Sequence, residues 1–317
     1  MALFEVEHLK KYFPTARGMV HAVDDVTFSI KEGTTMGLVG ESGCGKSTLG
    51  RTMIHLLDST DGTIRFKGED ITHPDKKKLR QLREDMQIIF QDPYSSLNPR
   101  MTIQDTIMEP LKLSGGFSKE QLERECIKLM DLAGIEKRFR DSYPHELDGG
   151  RRQRVGIARA IALMPKFIVC DEPVSALDVS IQAQILNLLM DLQEEYKLTY
   201  VFITHDLSVV RHISTHICVM YLGQMVETCP TQELFDYPLH PYTKALLSAI
   251  PSTEIHNKSE RIQLKGEITS PINPKPGCRF AQRCPYAAAE CTKPLQLQEV
   301  RPGHFVSCCH VHEINKL

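Results

Sequence analysis

Short apolar runs separated by polar turns open the chain, and further along apolar residues return every three or four positions. Leu3, Phe4 and Val6, and later Val20, Ala22, Val23, Val26, Phe28 and Ile30, read as short strands of an antiparallel sheet. Met36, Leu38 and Val39 make a buried strand, and Leu49, Met53, Leu56 and Leu57 after it share one face of a helix. The strand pattern continues through Thr63 to Phe66 and Met86 to Phe90. Between Pro99 and Pro165 the period changes: Leu122, Ile127, Leu129, Met130 and Leu132 space as a helix, with Gly115-Gly116 as a break. Phe167 to Cys170 and Tyr200 to Thr204 are apolar strands, and Ile181, Ile185, Leu188, Leu189 and Leu192 share a helix face between them. Such alternation predicts an α/β core, preceded by an antiparallel β subdomain and interrupted by a helical insert over about residues 99–165.

The turn after the first buried strand is Gly40-Glu41-Ser42-Gly43-Cys44-Gly45-Lys46-Ser47-Thr48, a complete G-x-x-x-x-G-K-S loop in strand-to-helix context. Its glycines let the backbone turn tightly and aim N–H groups at phosphate oxygens, and the helix N-terminus adds positive potential. Lys46 suits the β- and γ-phosphates, and the Ser47 hydroxyl suits Mg²⁺. A nucleoside triphosphate site is implied. Other strands end in matching chemistry. Gln91, after Met86 to Phe90, can reach a metal or a water. At Asp171-Glu172 one carboxylate can hold Mg²⁺ and its neighbour can polarise the water that attacks the γ-phosphate. His205 falls at the carboxyl edge of the sheet, where open parallel sheets bind ligands, and suits phosphate sensing. Tyr12 and Phe13 lie between the first strands, where a ring could stack on an adenine base or merely cover the sheet edge; Phe13 is the favoured stacker.

Composition narrows this picture. A chain of 317 residues, 41% hydrophobic and 25% charged, can build one large core and a smaller appendage. A net charge of −2 and a pI near 6.7 give no support to nucleic-acid binding, and Lys76-Lys77-Lys78 reads as a solvated helix start. No segment offers about eighteen uninterrupted apolar residues, and the N-terminus lacks a basic-then-apolar layout, so a cytoplasmic location is expected. In that compartment the clustered thiols among the ten cysteines read as metal ligands, and scattered ones such as Cys126, Cys170 and Cys218 as small core residues.

With these motifs in this order, the chain resembles an ATP-binding cassette (ABC) protein, the cytoplasmic ATPase subunit of a membrane transporter, over nearly its whole length. Gly40 to Thr48 resembles the Walker A loop, Gln91 the Q-loop glutamine, Leu147 to Gln153 the signature, and Phe167 to Asp171 the Walker B strand. Glu172 matches the catalytic base, Ser175 to Asp178 the D-loop and His205 the switch histidine. The resemblance implies an ABC-type P-loop NTPase core that binds ATP with Mg²⁺ at Ser47, Gln91 and Asp171. It also implies a head-to-tail dimer in which each ATP is clamped between one subunit's Walker A loop and the other's signature, here Asp148, Gly149 and Gly150, near Asp178. Paired cassettes, long coiled coils or basic faces, which would suggest an ATPase acting on DNA or ribosomes, do not occur. A nucleotide-gated structural partner with little turnover is the other reading, and intact Glu172 and His205 argue against it.

A narrower resemblance, to the oligopeptide/dipeptide/nickel importer branch, rests on Pro93 to Pro99, Gly223 to Glu227, Leu239 to Thr243 and the cysteine-bearing tail. Read without the family, His240-Pro241-Tyr242 is only a turn. The resemblance implies a second ATPase subunit, expected to be a paralogue, two transmembrane permease subunits, and an extracytoplasmic solute-binding protein. It places the chain peripherally on the cytoplasmic face of the membrane. Transport specificity is expected to lie in the other subunits, and the Gln91 to Met101 loop to contact the permease through Tyr94 and Leu97. The predicted division is residues 1–250 for the nucleotide-binding domain and 251–317 for the extension.

The chain departs from the family pattern at two positions: Asp148 stands where Ser is usual, and Arg151 where Gln is usual. A serine donates to the γ-phosphate in trans, whereas an ionised aspartate repels it, by about 4 kcal/mol at about 4 Å in an effective dielectric near 20. Against that, Asp148 is a good N-cap that Arg151 could neutralise. The balance favours two unequal ATP sites. In the tail, Cys278, Cys284, Cys291 and Cys308 lie in a Pro- and Gly-rich stretch with few apolar residues to make a core, so something else must fold it. The spacing lacks zinc knuckles, and four thiolates suit an iron–sulfur cluster better, although a soft site could take either metal. Similarity to peptide-importer ATPase tails points to a [4Fe–4S] cluster, with Cys309 in reserve as the fourth ligand and Zn²⁺ as the alternative.

Overall fold

A computed structural model describes residues 2–250, 261–264, 266 and 270–317 of the chain. The strands are β1 (Ala2–Thr15), β2 (Gly18–Lys31), β3 (Thr35–Val39), β4 (Asp61–Phe66), β5 (Glu69–Asp70), β6 (Met86–Ile89), β7 (Phe167–Asp171), β8 (Thr199–Ile203), β9 (His216–Tyr221), β10 (Gln224–Pro230), β11 (Gln298–Arg301) and β12 (His304–Val306). Two units divide them. The first comprises residues 1–30, 35–72 and 204–317, the second residues 31–34 and 73–203.

In the first unit, β2, β1, β4 and β5 lie side by side, with Phe4 opposite Phe66 and Val6 opposite Ile64 across an antiparallel pair. A second set runs β3, β9, β10, β12, β11: β3 is parallel to β9, and the remaining pairs are antiparallel. Every residue of β3 is buried, as its unbroken apolar run requires. One cluster joins Val39, Leu207, Val210, Val219, Tyr221 and Tyr242 to Phe280 of the tail, which is completely buried. Val306 and Val311 pack on Leu239 in another. The tail therefore does contribute to a core, contrary to the reading of its composition, because its few apolar residues are inserted between elements laid down earlier in the chain.

In the second unit β6, β7 and β8 are parallel, with Ile88 beside Val169 and Val169 beside Val201. The helical insert contains Ile103–Ser114 and Lys119–Leu132. Gly115 ends the first at φ 83°, and Ser118 starts the second in a reciprocal capping box with Gln121. Asp75 caps the helix Lys76–Asp85, leaving Lys76 and Lys77 in solvent as expected.

Three local expectations need correcting. The helix after the phosphate loop spans Lys46–Met53 and does not reach Leu57. His55 adopts φ 57°, the N–H groups of Leu56 and Leu57 both donate to Arg51 O, and Leu56 is left exposed. Tyr12 and Phe13 lie inside β1, not between strands. His240-Pro241 starts the helix Pro241–Ser248, with His240 Nδ1 accepting from Tyr242 N at 3.1 Å and proline at the first position, which has no helical N–H bond to lose. The proposed boundary at residue 251 falls outside the described residues.

Candidate nucleotide site and cysteine cavity

The phosphate loop owes its path to glycine. Gly40 and Gly45 have φ of 150° and 106°, and a Cβ on them would come within 2.2 Å of Met220 O and 2.0 Å of Ala22 O. Lys46 is buried, and its Nζ donates to Gly40 O at 2.8 Å and Glu41 O at 3.0 Å, holding the loop closed from within. The helix that Lys46 begins follows Gly45, which has no side chain to cap it. Ser42 and Gly43 are exposed, Ser47 and Thr48 half-buried. Cys44 is buried, and burial raises its thiol pKa against the lowering pull of Lys46.

Two contacts hold Glu41 that sequence reasoning missed. Its N–H donates to Tyr242 Oη at 2.8 Å, and its Oε2 accepts from Arg283 Nη1 at 2.7 Å. At β1, the Tyr12 hydroxyl donates to Asp24 and its ring stacks on His21 with centroids 3.9 Å apart. Burial and then the Asp24 bond hold that phenol protonated, with its pKa raised. The half-buried Phe13 ring carries the Lys11 ammonium 4.9 Å from its centroid.

In the second unit, Asp171 closes β7 and is buried. Glu172 follows in the left-handed region at φ 48°, a conformation that disfavours a side chain, and its N–H donates to Ile203 O. Gln91 Nε2 donates to Glu172 Oε2 at 3.0 Å, which brings these predicted residues together. A carboxylate oriented by one amide keeps acceptor capacity for a water proton. His205 is exposed just beyond β8, ahead of the helix Leu207–Ile213, which Asp206 caps. Asp178 takes the N-cap position of the helix Val179–Tyr196 without a side-chain capping bond.

Asp148 caps the helix Gly149–Ile161: its Oδ1 accepts from Arg151 N at 2.8 Å, and its Oδ2 accepts from the Arg151 guanidinium. These interactions, the backbone N–H foremost, hold the carboxyl below the usual carboxylate range. A Cβ on Gly150 would meet Ile181 Cγ2 at 2.7 Å. In the loop after Gln91, Tyr94 is 58% exposed beneath the Arg152 guanidinium, but Leu97 is buried and is unavailable as an exposed anchor.

Cys278, Cys284, Cys291 and Cys308 line one small cavity, together with Cys309 and His310. The Cys291 and Cys309 sulfurs are 3.6 Å apart, and His310 lies within 4.8 Å of both. Cys309, named as the reserve ligand, thus sits beside Cys291, and His310 was not foreseen. His310 Nε2 is buried without a hydrogen-bond partner, the Glu290 carboxylate lying 3.8 Å away. Burial first, and then the neighbouring thiols, push Cys278 up to about 12. Sulfurs gathered round an apolar cavity that His240 and His310 also line form a soft donor set that fits an iron–sulfur cluster or zinc, either of which would take the thiols as thiolates. Cys126, Cys170 and Cys218 are buried elsewhere, as expected of core residues.

Among the described residues no helix is long and apolar enough to cross a membrane. The family described as ABC transporter matches residues 23–175, and the oligopeptide/dipeptide transporter C-terminal region matches residues 226–291. The oligopeptide transport ATP-binding protein AppF of Bacillus subtilis is 51% identical over 96% of this chain and 96% of its own length. OppF of the same organism, also an oligopeptide transport ATP-binding protein, is 49% identical over 96% of each chain. Among solved structures, the dimeric post-hydrolysis state of the ATP-binding cassette MJ0796 bound to ADP and Pi superimposes with a TM-score of 0.67 at 30% identity, covering 72% of this chain and 98% of that one. The cbiO1 subunit of the Clostridium perfringens transporter complex cbiONQ gives 0.67 at 27% identity, over 74% and 91%. The chain therefore belongs to the ABC transporter ATPase family, in the branch that carries the oligopeptide/dipeptide transporter C-terminal region.

Proposed function

We propose that this chain powers peptide uptake from the cytoplasmic face of the membrane, binding ATP at Gly40 to Thr48 and hydrolysing it with Glu172 as base. The observation that carries the reading is a loop closed from within by buried Lys46 at the start of a helix whose N-cap, Gly45, has no side chain. Lys46 meets the β- and γ-phosphates; Ser47, Gln91 and Asp171 would hold Mg²⁺, which supplies charge neutralisation. Glu172, oriented by Gln91, accepts the proton of the attacking water, and His205 senses the γ-phosphate. Tyr12 and Phe13 flank the base, with Phe13 the stacking ring. Residues 1–250 form the nucleotide-binding domain, with the insert at 99–165, and 251–317 the extension.

The partners are a paralogous ATPase, two permease subunits and, through the complex, a solute-binding protein. Asp148, Gly149, Gly150 and Asp178 face the partner's nucleotide, and the site containing Asp148 is the weaker of the two. The cysteine cavity holds a [4Fe–4S] cluster, with Zn²⁺ the alternative, as a structural staple or redox sensor. Cys278, Cys284 and Cys291 are ligands, and either Cys308 or Cys309 is the fourth. The test is reconstitution with the permease and binding protein: peptide-stimulated ATPase activity and uptake are expected, and ATPase activity indifferent to peptide and permease would overturn the reading. Anaerobically purified chain should be brown, with iron and sulfide near four each per chain; stoichiometric zinc without colour would replace the cluster by zinc.

A further inference from the structure

The segment between Cys278 and Cys284 carries two arginines, and each engages a different part of the nucleotide site. Arg283 donates to Glu41 inside the phosphate loop at 2.7 Å, with a side chain only 9% exposed. Arg279, 6% exposed, pairs with Asp24, which accepts the Tyr12 hydroxyl beside the proposed base-stacking position. Arg279 also donates to Leu222 O, next to Gly223, whose N–H donates to Cys44 O at 2.7 Å. Phe280 lies between the arginines in sequence, its ring 5.3 Å from both Tyr221 and Tyr242, and Tyr242 is the residue that receives the Glu41 N–H. Upstream, His21 N–H donates to Pro271 O and Asn273 N–H to Met19 O, fastening the approach to this segment along β2.

We infer that the Cys278–Cys284 segment is a brace for the nucleotide site, through which metal held by the tail cysteines sets the affinity of the phosphate loop for ATP. This coupling rests on the metal reading above. The physical reason is charge. Glu41 puts a carboxylate into a loop that must receive a polyanion, and Arg283 neutralises it while fixing the loop backbone. Cysteines at both ends of a short segment hold Arg283 in place when they share a metal. When they do not, Arg283 leaves Glu41 more readily, and the unpaired carboxylate opposes the triphosphate.

The test measures the affinity of the full chain for a fluorescent Mg-ATP analogue, as purified anaerobically and after chelation under reducing conditions, with iron, sulfide and zinc quantified in parallel. Metal removal is expected to weaken wild-type binding about tenfold, the scale of one charge-assisted hydrogen bond. Arg283→Gln should weaken it similarly with metal content unchanged, and chelation should then add nothing. Arg283→Lys should recover most of the loss, and Glu41→Gln should make affinity indifferent to metal. Unchanged affinity in Arg283→Gln, or a chelation effect of the same size in that variant as in wild type, would overturn the brace. A chain that takes up neither iron nor zinc would overturn the metal reading and the coupling with it. A wild-type chain that holds metal yet binds nucleotide equally well without it would overturn the coupling alone. Thermal melting of each variant separates misfolding from these outcomes.

Discussion

The helices Lys46–Met53 and Gly149–Ile161 both begin at glycine-containing turns, yet they treat their first turns in opposite ways. Gly45, at φ 106°, precedes the first and supplies no side chain, so the N-cap position itself places no carboxylate where an anion would bind. Asp148 precedes the second and fills that place with its own carboxylate, tied to the Arg151 N–H and guanidinium. A helix start can be stabilised by its own cap or kept for phosphate, but one carboxylate cannot do both. The second start is thus built for the stability of its own subunit, and under the proposed dimer it would be worse suited to a partner's nucleotide than the first.

The largest expected effect isolates the first start. In a complex whose partner site has been silenced, Glu172→Gln should lower ATP turnover by about a thousandfold while ATP stays bound, since the amide keeps the shape and loses the proton acceptor. Single-turnover hydrolysis and nucleotide binding measured side by side would show it, and wild-type turnover would remove Glu172 from the base role. Lys46→Ala comes next: affinity for Mg-ATP, read by equilibrium titration, should fall about a hundredfold, because the loop loses both a phosphate charge and its internal tie to Gly40 O.

The second start is tested in the other direction. Asp148→Ser with Arg151→Gln should raise the turnover of the complex by about threefold to tenfold, as a carboxylate facing phosphate gives way to a donor. A steady-state rate that stayed level or fell would show that Asp148 does not oppose the partner's nucleotide. The smallest effect concerns stability. Asp148→Ala should cost about 1 kcal/mol in denaturant unfolding, and Asp148→Ser very little, because serine also caps. The Asp148 pKa is lowered in the folded chain, so its contribution is present above the ordinary carboxylate pKa and fades as pH falls through the lowered one. The Ala variant and wild type should therefore converge in acid; a gap that persisted there would assign the loss to something other than the ionised cap.

How much of this was legible depended on how far each interaction reaches along the chain. The phosphate loop, the buried strands β3, β7 and β8, the Gly115 break and the Asp148 cap were all readable, because spacing and residue type over a few positions carry them. Glycine at Gly40 and Gly45 is a local demand of a backbone at positive φ. Helical spacing misled at Leu56, since the pattern persists where the backbone has already unwound at His55. It could not show that Leu97 is covered while Tyr94 is not, because burial is settled by neighbours remote in sequence.

The sequence by itself therefore determined the triphosphate loop, the acidic strand end and the α/β alternation, since each is written in adjacent residues whose chemistry is local. Only the tertiary structure decided that Phe280 enters the core, that Cys309 and His310 crowd Cys291, and that Arg283 reaches Glu41. The last of these joins the tail to the phosphate loop across some 240 positions. No period or spacing encodes which side chains meet across such a span; they meet because burying Phe280 against Tyr221 and Tyr242 carries Arg283 to the loop.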